Sequence, residues 1–128
     1  MSSDIKIIED YLCDLCDAAF DDGIICDKVF NPEEPVNRAV YITQQLESGT
    51  DQDGIRYYTA QILENRKARS ECINDMDIIS NTFRKCGKKL DNGLVIYISV
   101  SYIMSPTKMI VGTQKAYFLS ANLEIKLT

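Results

Sequence analysis

The chain contains no histidine and no tryptophan. Without an imidazole it lacks the commonest general base, and Ser-His-Asp or Cys-His activation of a nucleophile is excluded. A zinc site would have to be built from thiolates and carboxylates alone. Cys26, Cys72 and Cys86 stand isolated along the sequence, so no structural zinc, and no other cofactor, is expected. No apolar run approaches the roughly 20 residues that cross a bilayer, so no membrane partner is expected. The start Met1-Ser2-Ser3-Asp4 is acidic where a secretory signal would be basic, so a product made and kept in the cytosol is expected. Its odd set of five cysteines is then expected to stay reduced and to pack as small hydrophobic side chains. Walker loops, dinucleotide glycine fingerprints and metal-loop signatures are missing as well.

Positive charge is also short. Fourteen Lys and Arg face nineteen Asp and Glu, for a net charge of -5. The imbalance sits at one end: residues 1–34 hold ten acids against two bases, and residues 35–128 hold nine acids against twelve bases. A phosphate backbone is bound through clustered Lys and Arg, so this balance disfavours specific nucleic-acid binding.

What is present suits a single globular domain over residues 1–128, with 45% hydrophobic and 26% charged residues. Ile5, Ile8, Leu12, Leu15, Cys16 and Ala19 recur at helical spacing, with Ser2, Ser3 or Asp4 as the cap and Gly23 as the stop. Ile24 to Phe30 reads as a short strand before the acidic loop Asn31-Pro32-Glu33-Glu34-Pro35. Val36–Leu46 and Ile55–Glu64 read as a strand pair around the loop Glu47–Gly54. A second helix is predicted from Lys67 to Cys86, with Ala68, Cys72, Met76, Ile79, Phe83 and Cys86 as its core stripe, Asn65 as its cap and Gly87 as its stop.

The last thirty-five residues carry the strongest pattern. In Leu94–Met104, Val100, Tyr102 and Met104 alternate with Ser99, Ser101 and Ile103. In Ala116–Leu127, Leu119, Ala121, Leu123, Ile125 and Leu127 oppose Ser120, Asn122, Glu124 and Lys126. Between them Pro106 and Gly112 are read as breaking the ladder, so Ser105–Lys115 is expected to be an irregular, protruding loop. Met109, Ile110 and Val111 are apolar within it. Met109 and Val111 are expected to anchor a protein contact with Lys108 and Lys115 as its polar rim, and Ile110 beside them. Two helices and mostly antiparallel strand pairs predict an α+β fold: a mixed, mostly antiparallel sheet of four to five strands packed with two amphipathic helices.

The motifs that could carry chemistry have plainer readings. Cys13-Asp14-Leu15-Cys16 is a Cys-x-x-Cys pair, but it lies well inside a helix among acids, where a thiol pKa is raised rather than lowered. Glu33 with Glu34, and Asp51 with Asp53, lie in loops without an apolar pocket to tune them. Arg66-Lys67-Ala68-Arg69 and Arg84-Lys85 with Lys88-Lys89 bracket the second helix, and the latter complement its dipole. The chain is therefore read as a non-enzyme.

One family shares this layout. The helix over Ile5–Ala19, the strand Arg38–Gln45, the strand Ile55–Ile62 leading into the helix that ends at Phe83, and the terminal strand pair together resemble the tail terminator or tail-completion proteins of long-tailed bacteriophages, often labelled minor capsid proteins. The closest local likeness is Tyr102-Ile103-Met104-Ser105-Pro106 followed by Lys115-Ala116-Tyr117-Phe118-Leu119-Ser120-Ala121-Asn122-Leu123-Glu124-Ile125. In that family a strand runs into a Ser-Pro-like break, a Gly-containing loop and a closing strand. The acidic first helix and its cysteines depart from the pattern. The resemblance implies a structural protein of a phage or phage-tail-like bacteriocin, forming a six-membered ring that caps the head-proximal end of the tail tube. It implies as partners a second copy, the tail tube protein, and sheath or neck proteins. Its place would be the virion or tail-like particle, assembled in the bacterial cytoplasm. The two alternatives are a neck or head-tail connector subunit, and a cytosolic redox regulator using Cys13 and Cys16.

Overall fold

Apolar alternation from Leu119 to Leu127 in the chain's longest strand organises the structure, a computed structural model that describes residues 2–46, 54–84, 86–90 and 92–128. The element order is α1 (Ser2–Ala19), β1 (Cys26–Asp27), β2 (Asn37–Leu46), β3 (Arg56–Arg66), α2 (Arg69–Thr82), β4 (Cys86–Lys89), β5 (Val95–Ile103), β6 (Thr107–Val111) and β7 (Gln114–Leu127). The fold is α+β: two helices on a seven-stranded sheet of order β1-β2-β3-β7-β5-β4, with β6 also paired to β7. Among the described residues only β1 and β2 pair in parallel. The short strands β1, β4 and β6 raise the strand number above the expected four to five.

β7 is central because it meets β3 along one edge and β5 followed by β6 along the other. Its residues Leu119, Ala121, Leu123, Ile125 and Leu127 are all buried, as alternation predicts. Burying each of the larger ones is worth roughly 1.5–3 kcal/mol. Ile62, Ala60 and Tyr58 on β3 lie beside Ala121, Leu123 and Ile125, and Ile98 and Ile96 on β5 lie beside Ile125 and Leu127. From above this face, α1 adds Ile8, Leu12 and Cys16, and α2 adds Cys72 and Ile79, with Phe83 just beyond it.

Four expectations are corrected. A bulge between Val100 and Tyr102 inserts an extra residue in β5, so Ile103 turns toward the core and Tyr102 turns out, 58% exposed. The second helix ends at Thr82, and Cys86 and Gly87 belong to β4. There the Tyr97 ring covers Gly87 so closely that a Cβ would sit 3.2 Å from it. Asn65 does not cap α2. It is buried in β3, donating to the Pro32 and Glu34 carbonyls at 3.4 and 2.9 Å, while Ala68 precedes α2 and its N–H is taken by Glu71 Oε1 at 3.0 Å.

The fourth correction concerns Ser105–Lys115. Thr107 to Val111 pairs regularly with Gln114 to Phe118, closing a hairpin at Gly112, whose φ of +64° favours glycine. Pro106 interrupts the ladder only between β5 and β6, where the Met104 N–H still donates to the Ser120 carbonyl at 2.8 Å. β5 and β6 are thus one strand with a break.

Candidate functional site

The hairpin sorts the proposed contact residues by face. Thr107, Met109 and Val111 lie opposite Phe118, Ala116 and Gln114, while Lys108 and Ile110 lie opposite Tyr117 and Lys115. Val111 is buried, and Met109 lines a groove of about 340 Å³ with Phe30, Pro32, Leu63, Thr107 and Phe118. The Phe30 and Phe118 rings meet there at 5.6 Å. Ile110, in contrast, is 62% exposed between Lys108 and Lys115, which are also exposed. The structure therefore presents Lys108, Ile110 and Lys115 together, and turns Met109 and Val111 into packing. Sequence reasoning placed both groups on one loop because it missed the period-2 alternation of a five-residue strand.

The sheet face away from the helices carries a polar and aromatic belt. Tyr41 Oη donates to Gln61 Oε1 at 3.4 Å, Gln61 Nε2 donates to Asn122 Oδ1 at 3.0 Å, and Tyr102 stands beside Asn122 on β5. Thr43 and Thr59 share a 2.8 Å hydroxyl contact. Next to them Lys126 Nζ lies 4.7 Å from the centroid of the exposed Tyr97 ring. A second row of exposed aliphatic side chains stands at the β1 edge, where Ile25 is 81% and Val29 75% exposed on either side of exposed Asp27. Asp10 nearby is held below the usual carboxylate range by its hydrogen bonds to Lys28 and then Lys6.

Beneath β2 and β3 lies an ionic cluster that sequence reasoning did not anticipate. Arg38 is 1% exposed, and its Nε donates to Glu64 Oε1 at 2.9 Å and its Nη2 to Asp22 Oδ2 at 2.8 Å. Asp75 Oδ2 lies 3.4 Å from the same Nη2, and the guanidinium stacks 3.6 Å over the Phe20 ring. Arg66 adds contacts to Asp22 Oδ2 at 2.6 Å, Glu71 Oε2 at 3.0 Å and Asp75 Oδ2 at 3.6 Å. Burial alone would lower the Arg38 pKa, but the hydrogen bond to Asp22 and the charge of Glu64 raise it. Burial also acts to raise the Asp22 carboxyl, but its bonds to Arg38 and the Ile24 N–H leave it lowered. Glu64, fully buried, is pushed up to about 8 by burial and then by Asp75. Glu64 Oε2 has no hydrogen-bond partner as a carboxylate. A proton there turns it into a donor toward Asp75 and leaves the two arginines facing the carboxylates of Asp22 and Asp75 inside the cluster and of the half-exposed Glu71 at its rim. The cluster ties the turn after α1, two strands and α2 into one unit.

Cys13, Cys16, Cys26 and Cys72 are buried free thiols. Burial pushes Cys13 and Cys72 up to about 12, and a hydrogen bond with Cys16, then burial, raises Cys26. Exchange chemistry runs through thiolate, which these surroundings disfavour. Replacing Cys16 or Cys72 by Ser is expected to destabilise the fold by roughly 1–3 kcal/mol, read from urea denaturation, because a hydroxyl would be buried with poor partners. Among the described residues no group of three or more Cys, Asp or Glu is arranged to hold a metal ion, and no helix is long and apolar enough to cross a membrane. Glu33 and Glu34 are exposed. Asp51, Asp53, most of the Glu47–Gly54 loop and Lys85 lie outside the described residues. Comparison with protein-family models and with curated proteins finds no match for this chain.

Proposed function

We propose that the chain is the repeating subunit of a ring that caps the head-proximal end of a tail tube, in a long-tailed phage or a headless tail-like particle, and ends tube growth. The observation that carries this reading is the one-sidedness of the sheet. Both helices pack on one face, and the other keeps exposed Tyr97 and Tyr102 beside the hydrogen-bonded belt of Tyr41, Gln61 and Asn122. Exposed tyrosines with satisfied polar neighbours have the composition of a protein interface. The element order of helix, strand pair, helix and closing strand pair is also the layout on which the family resemblance rests. The partners in this reading are further copies of the chain, likewise the tube protein, and sheath or neck proteins above it.

Cells that produce the particle without this chain should release tails of uncontrolled, overlong length, measured by electron microscopy. A connector subunit would use the same kind of surface but act after the tube is finished. Tails of normal, uniform length without the chain would therefore favour the connector and reject the terminator.

A further inference from the structure

The geometry points to a head-to-tail contact between copies of this chain, in which the β6–β7 hairpin of one copy laps over the β1 edge of the next. β1 and β6 lie on opposite sides of the sheet path, separated by β2, β3 and β7. At strand spacing this is about 20 Å. The hairpin offers Ile110 between Lys108 and Lys115, and residues 105–118 contain no acid. Neither lysine has an ion-pair partner among the described residues. The β1 edge offers Ile25 and Val29 on either side of exposed Asp27, with exposed Asp21 four residues before Ile25 in the chain. Each surface has an exposed aliphatic centre, one beside two lysines and the other beside exposed aspartates, with Lys28 at the β1 edge already held by Asp10.

The faces are opposite too. Lys108, Ile110 and Lys115 share strand parity with Tyr117, on the side of the sheet that carries the helices, whereas Asp27 shares parity with Ala39 and faces away from Cys26 and α1. One copy can therefore overlap the next as shingles do. Lysines on an edge strand repel a second identical edge, which blocks hairpin-to-hairpin pairing and leaves the acidic edge as the admitted partner. Such a contact is heterologous, and repeating it closes a ring or runs on as a filament. The inference deepens the ring reading and rests on it for the closure, not for the contact itself.

The test exchanges charge at each surface in the full chain. Lys108→Glu with Lys115→Glu makes both surfaces acidic, and Asp21→Lys with Asp27→Lys makes both basic. Each double variant should keep its circular dichroism spectrum yet shift in light scattering from the wild-type oligomer to a monomer. Mixing the two should restore the oligomer, because each hairpin then meets an edge of opposite sign. A monomeric wild type at high concentration, or an oligomer that survives either double change, overturns the contact. Survival of the oligomer with overlong tails in cells lacking the chain would reject this contact and keep the ring. Restored association on mixing with normal tails would keep the contact and reject the tail role.

Discussion

Arg38→Ala is expected to lower the folding free energy by about 3–5 kcal/mol, the usual cost of removing one partner from a buried ion cluster. Arg38 supplies the donor that Glu64 Oε1 meets at 2.9 Å and the positive charge that Asp22 meets at 2.8 Å. Without it Glu64 Oε1 loses its hydrogen-bond donor, while among the described residues Asp22 and Asp75 retain only Arg66 as a cation. The Phe20 ring also loses the guanidinium stacked on it. A domain of this size has only about 5–15 kcal/mol to lose, so the variant should unfold at a much lower denaturant concentration or fail to accumulate. Arg38→Lys should recover little, since an ammonium cannot fork between Glu64 and Asp22. Guanidinium titration of the three proteins reads the effect directly.

Stability should fall as pH rises from about 4.5 toward 8. Glu64 has its carboxyl raised from 4.5 to about 8 in the folded chain. The folded state therefore holds a proton that the unfolded chain has released, and the stability tied to it is complete below about 4.5 and lost as pH passes through the folded value. The loss across this window should be roughly 2–5 kcal/mol. Asp22 and Asp10 are lowered and act with the opposite sign, their contribution fading as acid is added below the ordinary carboxylate range. The melting temperature should therefore peak at mildly acidic pH. Glu64→Gln keeps a neutral donor toward Asp75, so its melting temperature should lose most of the slope between pH 5 and pH 8. An equal slope in wild type and variant would show that the proton is elsewhere.

The sequence made the sheet core legible because Leu119, Ala121, Leu123, Ile125 and Leu127 recur at period 2 in the second half of β7, and all five are buried. α1 was equally legible, with Ile8, Leu12 and Cys16 all buried at helical spacing. Three things were hidden. The bulge in β5 reverses the side-chain parity after Val100, and nothing local to Ser101 marks it. β6 was hidden because Pro106 and Gly112 read as loop residues when they sit at the two ends of a short strand. The Arg38 cluster was hidden because its members lie on four separate segments, and a charged residue in a strand normally reads as solvent-facing. Arg38-Ala39-Val40 and Glu64-Asn65-Arg66 do hold a clue: charge at positions whose alternation with Val40 and Ile62 points to the core.

The ring is the claim on which the functional reading stands, and negative-stain electron microscopy of the purified full chain at high concentration tests it most directly. Closed rings of uniform diameter, dispersed by the paired change of Lys108 and Lys115 to Glu, are the expected result. A field of monomers, or open filaments of indefinite length, would contradict it.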